Sequence, residues 1–159
     1  MKCTVICTGS LKEKYWKDAE AEYAKRMKRF GGWSVIELPE VSLPERPSQK
    51  EIDRALSKEG EAILKKIPER AYTIALCVEG KTYSSEQLAD LVAQIPQEGK
   101  GEIVLIIGSS HGLSPEVKAA CTRRLSVSPM TFPHQMMRVI LAEQFYRAHK
   151  ICANESYHK

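Results

Sequence analysis

Residues 104–113 read Val-Leu-Ile-Ile-Gly-Ser-Ser-His-Gly-Leu, an apolar run that leads directly into a glycine turn. A short, continuous apolar run that ends at glycine is typical of a strand buried in a parallel sheet. Ligands of open α/β proteins bind at the carboxyl ends of such strands, so the turn from Gly108 to Gly112 is a candidate binding loop. It lacks the complete dinucleotide-binding and P-loop signatures, and a plain tight turn remains the alternative.

Strand and helix patterns alternate along the rest of the chain. Further strands are predicted at Cys3–Thr8, Trp33–Leu38, Tyr72–Val78 and Leu125–Val127. Helices are predicted over Leu11–Arg29, from Ser48 to about Ile67, from Ser84 or Ser85 to Ile95, from Ser114, and over Gln135–Lys150. This order indicates an α/β fold, a mostly parallel sheet flanked by helices, in a single domain over residues 1–159. Gly80 is expected to end the third strand, and the proline-rich residues 39–50 are expected to form a long loop.

The composition excludes several classes of protein. With 159 residues, 43% of them hydrophobic and 28% charged, the chain is typical of a globular domain. Its net charge of +4 permits contact with nucleic acid without requiring it. Five scattered cysteines without a Cys-x-x-Cys pair argue against a disulfide framework and against a metal site. No apolar run is long enough to span a membrane and no signal peptide is recognisable, so we expect a cytoplasmic protein.

A second candidate binding segment is residues 127–132, Val-Ser-Pro-Met-Thr-Phe. It is too apolar for a freely solvated turn, yet its serines and proline fit poorly in a strand. Such a loop can wrap an adenine ring, with backbone groups at the ring's edge and Met130 or Phe132 in apolar contact. The alternative is a tight crossing packed under the last helix, and composition alone favours neither.

The final helix, Gln135–Lys150, carries apolar residues over most of its surface. Such a helix is either deeply buried or packed against a second subunit, and in so small a chain we predict a homodimer interface. The chain then ends in Tyr157, His158 and Lys159. A frayed end is the default for a terminus. An aromatic ring, a titratable base and a cation are nevertheless the groups that a site for an RNA nucleotide uses.

Longer motifs resemble one known family. They are Gly108-x-x-x-Gly112-Leu113-Ser114, Leu125-Ser126-x-Ser128-x-Met130-Thr131-Phe132-Pro133-His134-Gln135-Met136-Met137-Arg138, Glu143-Gln144-x-Tyr146-Arg147-Ala148 and Tyr157-His158-Lys159. Together they resemble the ribosomal RNA large subunit methyltransferase H family, small knotted enzymes of the SPOUT class that act on a pseudouridine of ribosomal RNA. The resemblance covers the whole chain, and residues 131–138 and the last three residues are its most specific parts.

This resemblance implies a C-terminal trefoil knot, an obligate homodimer and S-adenosylmethionine as the methyl donor. It also implies methyl transfer to N3 of a pseudouridine in the helix 69 loop of 23S ribosomal RNA. The positions that match the family's donor contacts are Leu76, Gly108, Val127, Ser128, Pro129, Met130, Thr131 and Phe132. The chain departs from the family's pattern at one position, because the family usually has a second glycine where this chain has Ser109.

The expected chemistry gives roles to further residues. Methyl transfer from a sulfonium depends mainly on positioning, and a nearby base helps the N3 proton to leave. His134 and His158 are the candidates for that base, with His158 reaching a site on the other subunit. Arg138, Tyr157 and Lys159 join His158 as candidate RNA contacts, the two cations on phosphate. A chain this small offers little RNA-binding surface, so we expect it to act on the assembled ribosome or large subunit.

Three other interpretations remain for the sequence. One is a knotted methyltransferase that acts on the ribose of transfer RNA. Another is a homodimer that binds the ribosome without catalysis, for which Ser109 is the sequence hint. The third is a flavodoxin-like nucleotide-binding enzyme, which fits the α/β pattern but leaves residues 131–138 and the Tyr-His-Lys end unexplained.

Overall fold

A computed structural model describes residues 1–158 of the chain. Five parallel strands form one sheet in the order β2-β1-β4-β3-β5. The strands are β1 (Lys2–Thr8), β2 (Trp33–Leu38), β3 (Ala71–Thr82), β4 (Glu102–Ile107) and β5 (Arg123–Ser126). The helices are α1 (Lys14–Met27), α2 (Gln49–Leu64), α3 (Ser85–Gln94), α4 (Pro115–Ala120) and α5 (His134–Cys152). The predicted α/β fold with a parallel sheet is confirmed.

Helices cover both faces of the sheet, as the continuous apolar strands predict. Alternate residues of β4 point to opposite faces: Leu105 packs into the core shared with α1, α3 and α5, and Ile106 into the core shared with α2 and α4. Both side chains are fully buried. Within residues 1–158, no helix combines the length and the hydropathy needed to cross a bilayer.

Helix-start signals mark three helices correctly. The Ser48 hydroxyl accepts a hydrogen bond from the Glu51 amide, and the Ser48 amide donates one to the Glu51 carboxylate, which completes a capping box before α2. Ser84 caps α3 in the same way. Ser114 caps α4, with proline at the first helical position. These caps explain why the predicted and observed starts agree.

The third strand differs from its prediction. Gly80 does not end β3, and the strand continues to Thr82. It pairs with β5 both before and after an irregularity in register between Leu76 and Lys81. Leu125 lies opposite Leu76 and again opposite Lys81. A Cβ at position 80 would lie 2.5 Å from the carbonyl carbon and 2.6 Å from the nitrogen of Leu125. The glycine therefore permits a close backbone crossing instead of marking a strand end.

The first helix begins at Lys14, later than the predicted Leu11. Leu11 is buried, but it belongs to the segment between β1 and the helix, and Tyr15 in the first turn of the helix is 61% exposed. The segment after β2, residues 39–48, is the predicted loop. It is attached to α2, because the Val41 amide donates a hydrogen bond of 2.9 Å to the Glu59 carboxylate.

Candidate functional site

At the carboxyl edge of the sheet, a cavity of about 370 Å³ lies beside the ends of β4 and β5 and the middle of β3. The glycine turn and residues 127–132 both line it, so the two segments singled out in the sequence meet in one place. The predicted donor contacts among its lining residues are Leu76, Gly108, Val127, Ser128, Met130, Thr131 and Phe132. Pro129 belongs to the same loop and is exposed, but it does not line the cavity. This cavity is called the donor cavity below.

The glycine turn is closed tightly on itself. The Gly112 amide donates a 2.8 Å hydrogen bond to the Ser109 carbonyl, and Gly112 has a φ of +87°. A Cβ on Gly108 would overlap the Gly112 carbonyl group. The backbone at Gly108 therefore forms a wall that no other residue type can provide in this conformation. The Ser109 side chain is buried and donates to Glu59, so its hydroxyl is held by α2.

The second loop is shaped by its own serines. The Ser126 hydroxyl donates to the Ser128 carbonyl at 3.1 Å, and the Met130 amide donates to the Ser128 hydroxyl at 3.0 Å. Met130 is 71% exposed at the cavity rim, and Val78 on β3 is 69% exposed at the same rim. Because Pro129, Met130 and Thr131 are exposed, the loop is not packed beneath α5. Exposed apolar side chains beside backbone polar groups fit a flat heterocycle.

The donor cavity fits an adenosyl group in size and chemistry. Its volume lies within the range of roughly 300–1,000 Å³ that is usual for small-molecule sites. Leu76, Val127 and Phe132 supply apolar contact, while Gly108 allows close approach to the backbone. S-adenosylmethionine has both an apolar ring and polar edges, so these residues suit it.

The two candidate bases lie apart in the described chain. His134 is exposed at the first residue of α5 and lines the donor cavity. The His158 ring contacts Glu86 at 2.7 Å and Arg147 at 3.3 Å, and neither partner lines that cavity. A single protomer therefore does not bring His134 and His158 together.

Tyr157 is held against α5. The Tyr157 hydroxyl lies 3.2 Å from the Glu143 carboxylate, and the Tyr157 ring packs edge-on to Tyr146. Burial, reinforced by Tyr23, raises the pKa of Tyr157 to about 12. Hydrogen bonds from Ser84, its own amide and His158 lower the pKa of Glu86 to about 2. Lys159, a predicted phosphate contact, lies outside the described residues.

Arg138 has different partners from those predicted. Its guanidinium donates two hydrogen bonds to Glu20, at 3.0 and 2.6 Å, and one of 2.6 Å to Glu37. The side chain is 6% exposed. Burial opposes the charge, but the bonds to Glu20 and Glu37 outweigh it and raise the pKa of Arg138 above its usual value. With its donors directed at carboxylates inside the protein, Arg138 is badly placed for a phosphate, and the structure argues against that prediction.

Sequence reasoning missed a second, smaller cavity of about 190 Å³ beside the carboxyl end of β1. Thr8, Ser10 and Gln135 line it, and His134 lines both cavities. The signal was present in the sequence, because Thr8-Gly9-Ser10 ends a strand just as Gly108 does. The rule that ligands bind at the carboxyl edge of the sheet applies to both strand ends.

Comparison with known proteins identifies the family of the chain. The family model described as predicted SPOUT methyltransferase matches residues 1–158. The chain is 49% identical, over 100% of both sequences, to a ribosomal RNA large subunit methyltransferase H of Clostridium novyi (strain NT). Its fold is similar to that of a probable methyltransferase from Bordetella pertussis Tohama I, with a TM-score of 0.56 and 15% identity over 92% of this chain and 93% of that one. By full-length sequence match, the chain belongs to the SPOUT methyltransferase family, among the relatives of ribosomal RNA large subunit methyltransferase H.

Proposed function

We propose that this chain transfers the methyl group of S-adenosylmethionine to N3 of a pseudouridine in the helix 69 loop of 23S ribosomal RNA, on assembled ribosomes. One observation carries this function: the donor cavity combines the glycine turn and residues 127–132 beside His134, in a chain 49% identical along its whole length to a ribosomal RNA large subunit methyltransferase H. A ribosomal substrate implies a cytoplasmic location.

The chain's main task in this reaction is positioning. S-adenosylmethionine supplies an electrophilic methyl group on a sulfonium. Leu76, Val127 and Phe132 would hold the adenosyl group by apolar contact, and Gly108 would let it approach the backbone closely. The acceptor nitrogen approaches in line with the bond from sulfur to carbon. As the new N3–C bond forms and the C–S bond breaks, an imidazole nitrogen of His134 accepts the N3 proton and later releases it to water.

The proposal includes a homodimer, which the apolar surface of α5 supports. Buried Leu141 and Phe145 pack into the core, while Met136, Val139 and Ile140 remain half-exposed on other sides of the helix. Half-exposed apolar side chains on several sides of one helix suit a subunit interface. In the proposed dimer, Tyr157 and His158 of one protomer reach the donor cavity of the other, where they contact RNA and His158 is a second candidate base. Lys159 stays a predicted phosphate contact.

A C-terminal trefoil knot within one domain over residues 1–159 is part of the same proposal. The double pairing of β5 with β3, and the close crossing of Leu125 over Gly80, support a chain that passes through a narrow loop at this point. A knot would also keep residues 127–132 folded back against the glycine turn. That arrangement would give the donor cavity a rigid floor without a second domain.

Purified 70S ribosomes, incubated with the chain and S-adenosylmethionine labelled in the methyl group, test this function. We expect label in 3-methylpseudouridine after nucleoside digestion and mass spectrometry, with much less label on naked 23S ribosomal RNA. Label in a 2′-O-methylribose of transfer RNA would contradict the proposal and favour the transfer-RNA interpretation. Absence of donor binding in calorimetry would favour a ribosome-binding dimer without catalysis.

A further inference from the structure

The cavity beside β1 has no role in donor binding as described above. It lies at the carboxyl ends of β1 and β4, and the residues that it shares with the donor cavity are Ile107, Ser109, Ser110 and His134. The two spaces are therefore neighbours with His134 at their boundary. Its volume of about 190 Å³ is below the roughly 300 Å³ at which sites for drug-sized ligands begin. A space of this size suits a single heterocyclic ring.

Thr8 lines this cavity and carries an unpaired hydroxyl. The residue is 6% exposed, and its Oγ1 is closed to solvent and has no hydrogen-bond partner among residues 1–158. Buried polar groups are nearly always satisfied, so an unpaired hydroxyl in a residue that lines a cavity requires an explanation. A ligand in the cavity that draws the Thr8 hydroxyl round by rotation about χ1 would satisfy it.

The loop that forms the rim of this cavity, residues 9–12, is held from several directions. The Gly9 amide donates to the Leu38 carbonyl at 2.8 Å. The Lys12 amide donates to the Gln135 side chain at 2.9 Å, which joins the rim to the first turn of α5, where His134 lies. The rim and the candidate base are thus fixed relative to each other, as a preformed binding site requires.

The ion-paired Arg138 supports the same rim from below. Arg138 is one of the residues that line the cavity, and its guanidinium donates to the Glu37 carboxylate at 2.6 Å. That carboxylate also lies 3.4 Å from the Leu11 amide. Ser10 and Lys12 are exposed at the mouth. A polar interior under a mouth that carries a lysine matches a nucleotide whose base enters the cavity while its phosphate stays outside.

We propose that this cavity receives the acceptor base, a uracil-type ring turned out of the RNA stack, and that the Thr8 hydroxyl rotates toward the cavity and hydrogen-bonds to the edge of that base. The assignment rests on the proposed function. Enzymes that modify a base take it out of the stack into a fitted pocket and read its hydrogen-bonding edge there. The shared wall puts the ring between Thr8 and His134, with its nitrogen facing the donor cavity. Thr8 is then a substrate-binding residue of the methyltransferase.

Substitution of Thr8 by valine tests this assignment, because it removes the hydroxyl and preserves the side chain's shape. We expect Thr8→Val to keep or raise the urea unfolding midpoint and to leave the calorimetric affinity for S-adenosylmethionine unchanged. We expect kcat/KM on 70S ribosomes to fall roughly five- to tenfold, the effect of one lost hydrogen bond. Thr4→Val is the matched control on the same strand, because the buried Thr4 hydroxyl already has Ser34 and Glu102 as partners. It should lower the midpoint without changing kcat/KM.

Three results separate the possibilities. If Thr8→Val and the original chain have equal kcat/KM, the assignment of this cavity as the pocket for the acceptor base (the base pocket) is overturned, while the proposed function stands. A Thr8→Val chain that dissociates into monomers but keeps its kcat/KM per dimer shows that a segment of a second copy fills the cavity, which also overturns the base pocket. An original chain that binds donor but methylates no ribosome overturns the proposed function, and the base pocket with it.

Discussion

The hydroxyl of Ser109 lies 2.8 Å from Oε2 of Glu59, and both side chains are buried. The other oxygen of the same carboxylate accepts the Val41 amide. One carboxylate of α2 thus joins the glycine turn of the donor cavity to the loop after β2. Position 109 is also where this chain departs from the family's usual glycine, so the extra hydroxyl has a definite partner.

We expect Ser109→Ala to destabilise the protein by about 1–3 kcal/mol, because it leaves a buried carboxylate oxygen without its donor. The looser turn should also weaken donor binding. Urea unfolding and calorimetry with S-adenosylmethionine measure the two effects. Ser110→Ala is the matched control, since Ser110 is exposed in the same turn. Similar unfolding free energies for the two variants would show that the contact with Glu59 contributes nothing.

Gly108→Ala should reduce donor affinity roughly tenfold or more, which is about 1.4 kcal/mol or more. The added methyl group has no space beside the Gly112 carbonyl, so the turn must open. Gly101→Ala, just before the start of the same strand, meets nothing within 4 Å and should bind donor normally. Calorimetry on the two purified variants makes the comparison. Normal affinity in Gly108→Ala would mean that the turn does not contact the donor.

Arg138→Met should cost about 1–3 kcal/mol of stability, because it leaves the half-buried Glu20 carboxylate without its partner. Arg138→Lys should cost less, since a single ammonium keeps the charge but cannot bond to both Glu20 and Glu37 as the guanidinium does. Urea unfolding of both variants tests this order. If an Arg138 variant kept normal stability and its ribosome binding depended less on salt, the result would instead support Arg138 as a phosphate contact.

His149 should make the protein less stable in mild acid. Burial lowers the pKa of His149 below its ordinary 6.5, and the ring donates from Nδ1 to the Phe145 carbonyl at 2.8 Å. Below pH 6.5 the unfolded chain binds a proton that the folded chain resists, so this stability is complete above pH 6.5 and is lost as the pH falls through the lowered folded value. Urea unfolding at pH 7.5 and 5.5, at one protein concentration, measures the slope. His149→Leu should reduce the dependence of the unfolding free energy on pH. An unchanged dependence would show that other titrating groups cause it.

Much of the fold was predictable because its signals are local. Each strand except β3 begins and ends within about two residues of its apolar run, and Ser48, Ser84 and Ser114 cap helices as their spacing predicts. The extension of β3 was not predictable, since Gly80 ordinarily marks a strand end and its true role depends on where β5 passes.

The donor cavity was predictable for a different reason. Its two loops follow strand ends, and parallel strands gather those ends at one edge of the sheet. Long-range polar pairs were not predictable. Arg138 meets Glu20 across 118 residues of sequence, and nothing local to either residue indicates the pair. Thr8 was overlooked because an unsatisfied hydroxyl becomes visible only when the groups around it are placed.

The distribution of cysteines has a practical consequence for footprinting. Cys77 is half-buried on the wall of the donor cavity, and Cys152 is exposed at the end of α5. Burial raises the pKa of Cys3 to about 12 and that of Cys7 to about 11, which keeps both thiols protonated and slow to alkylate. The cavity therefore contains its own chemical reporter: a bound donor should shield Cys77 from a maleimide, with Cys152 as the internal reference in the same mass spectrum.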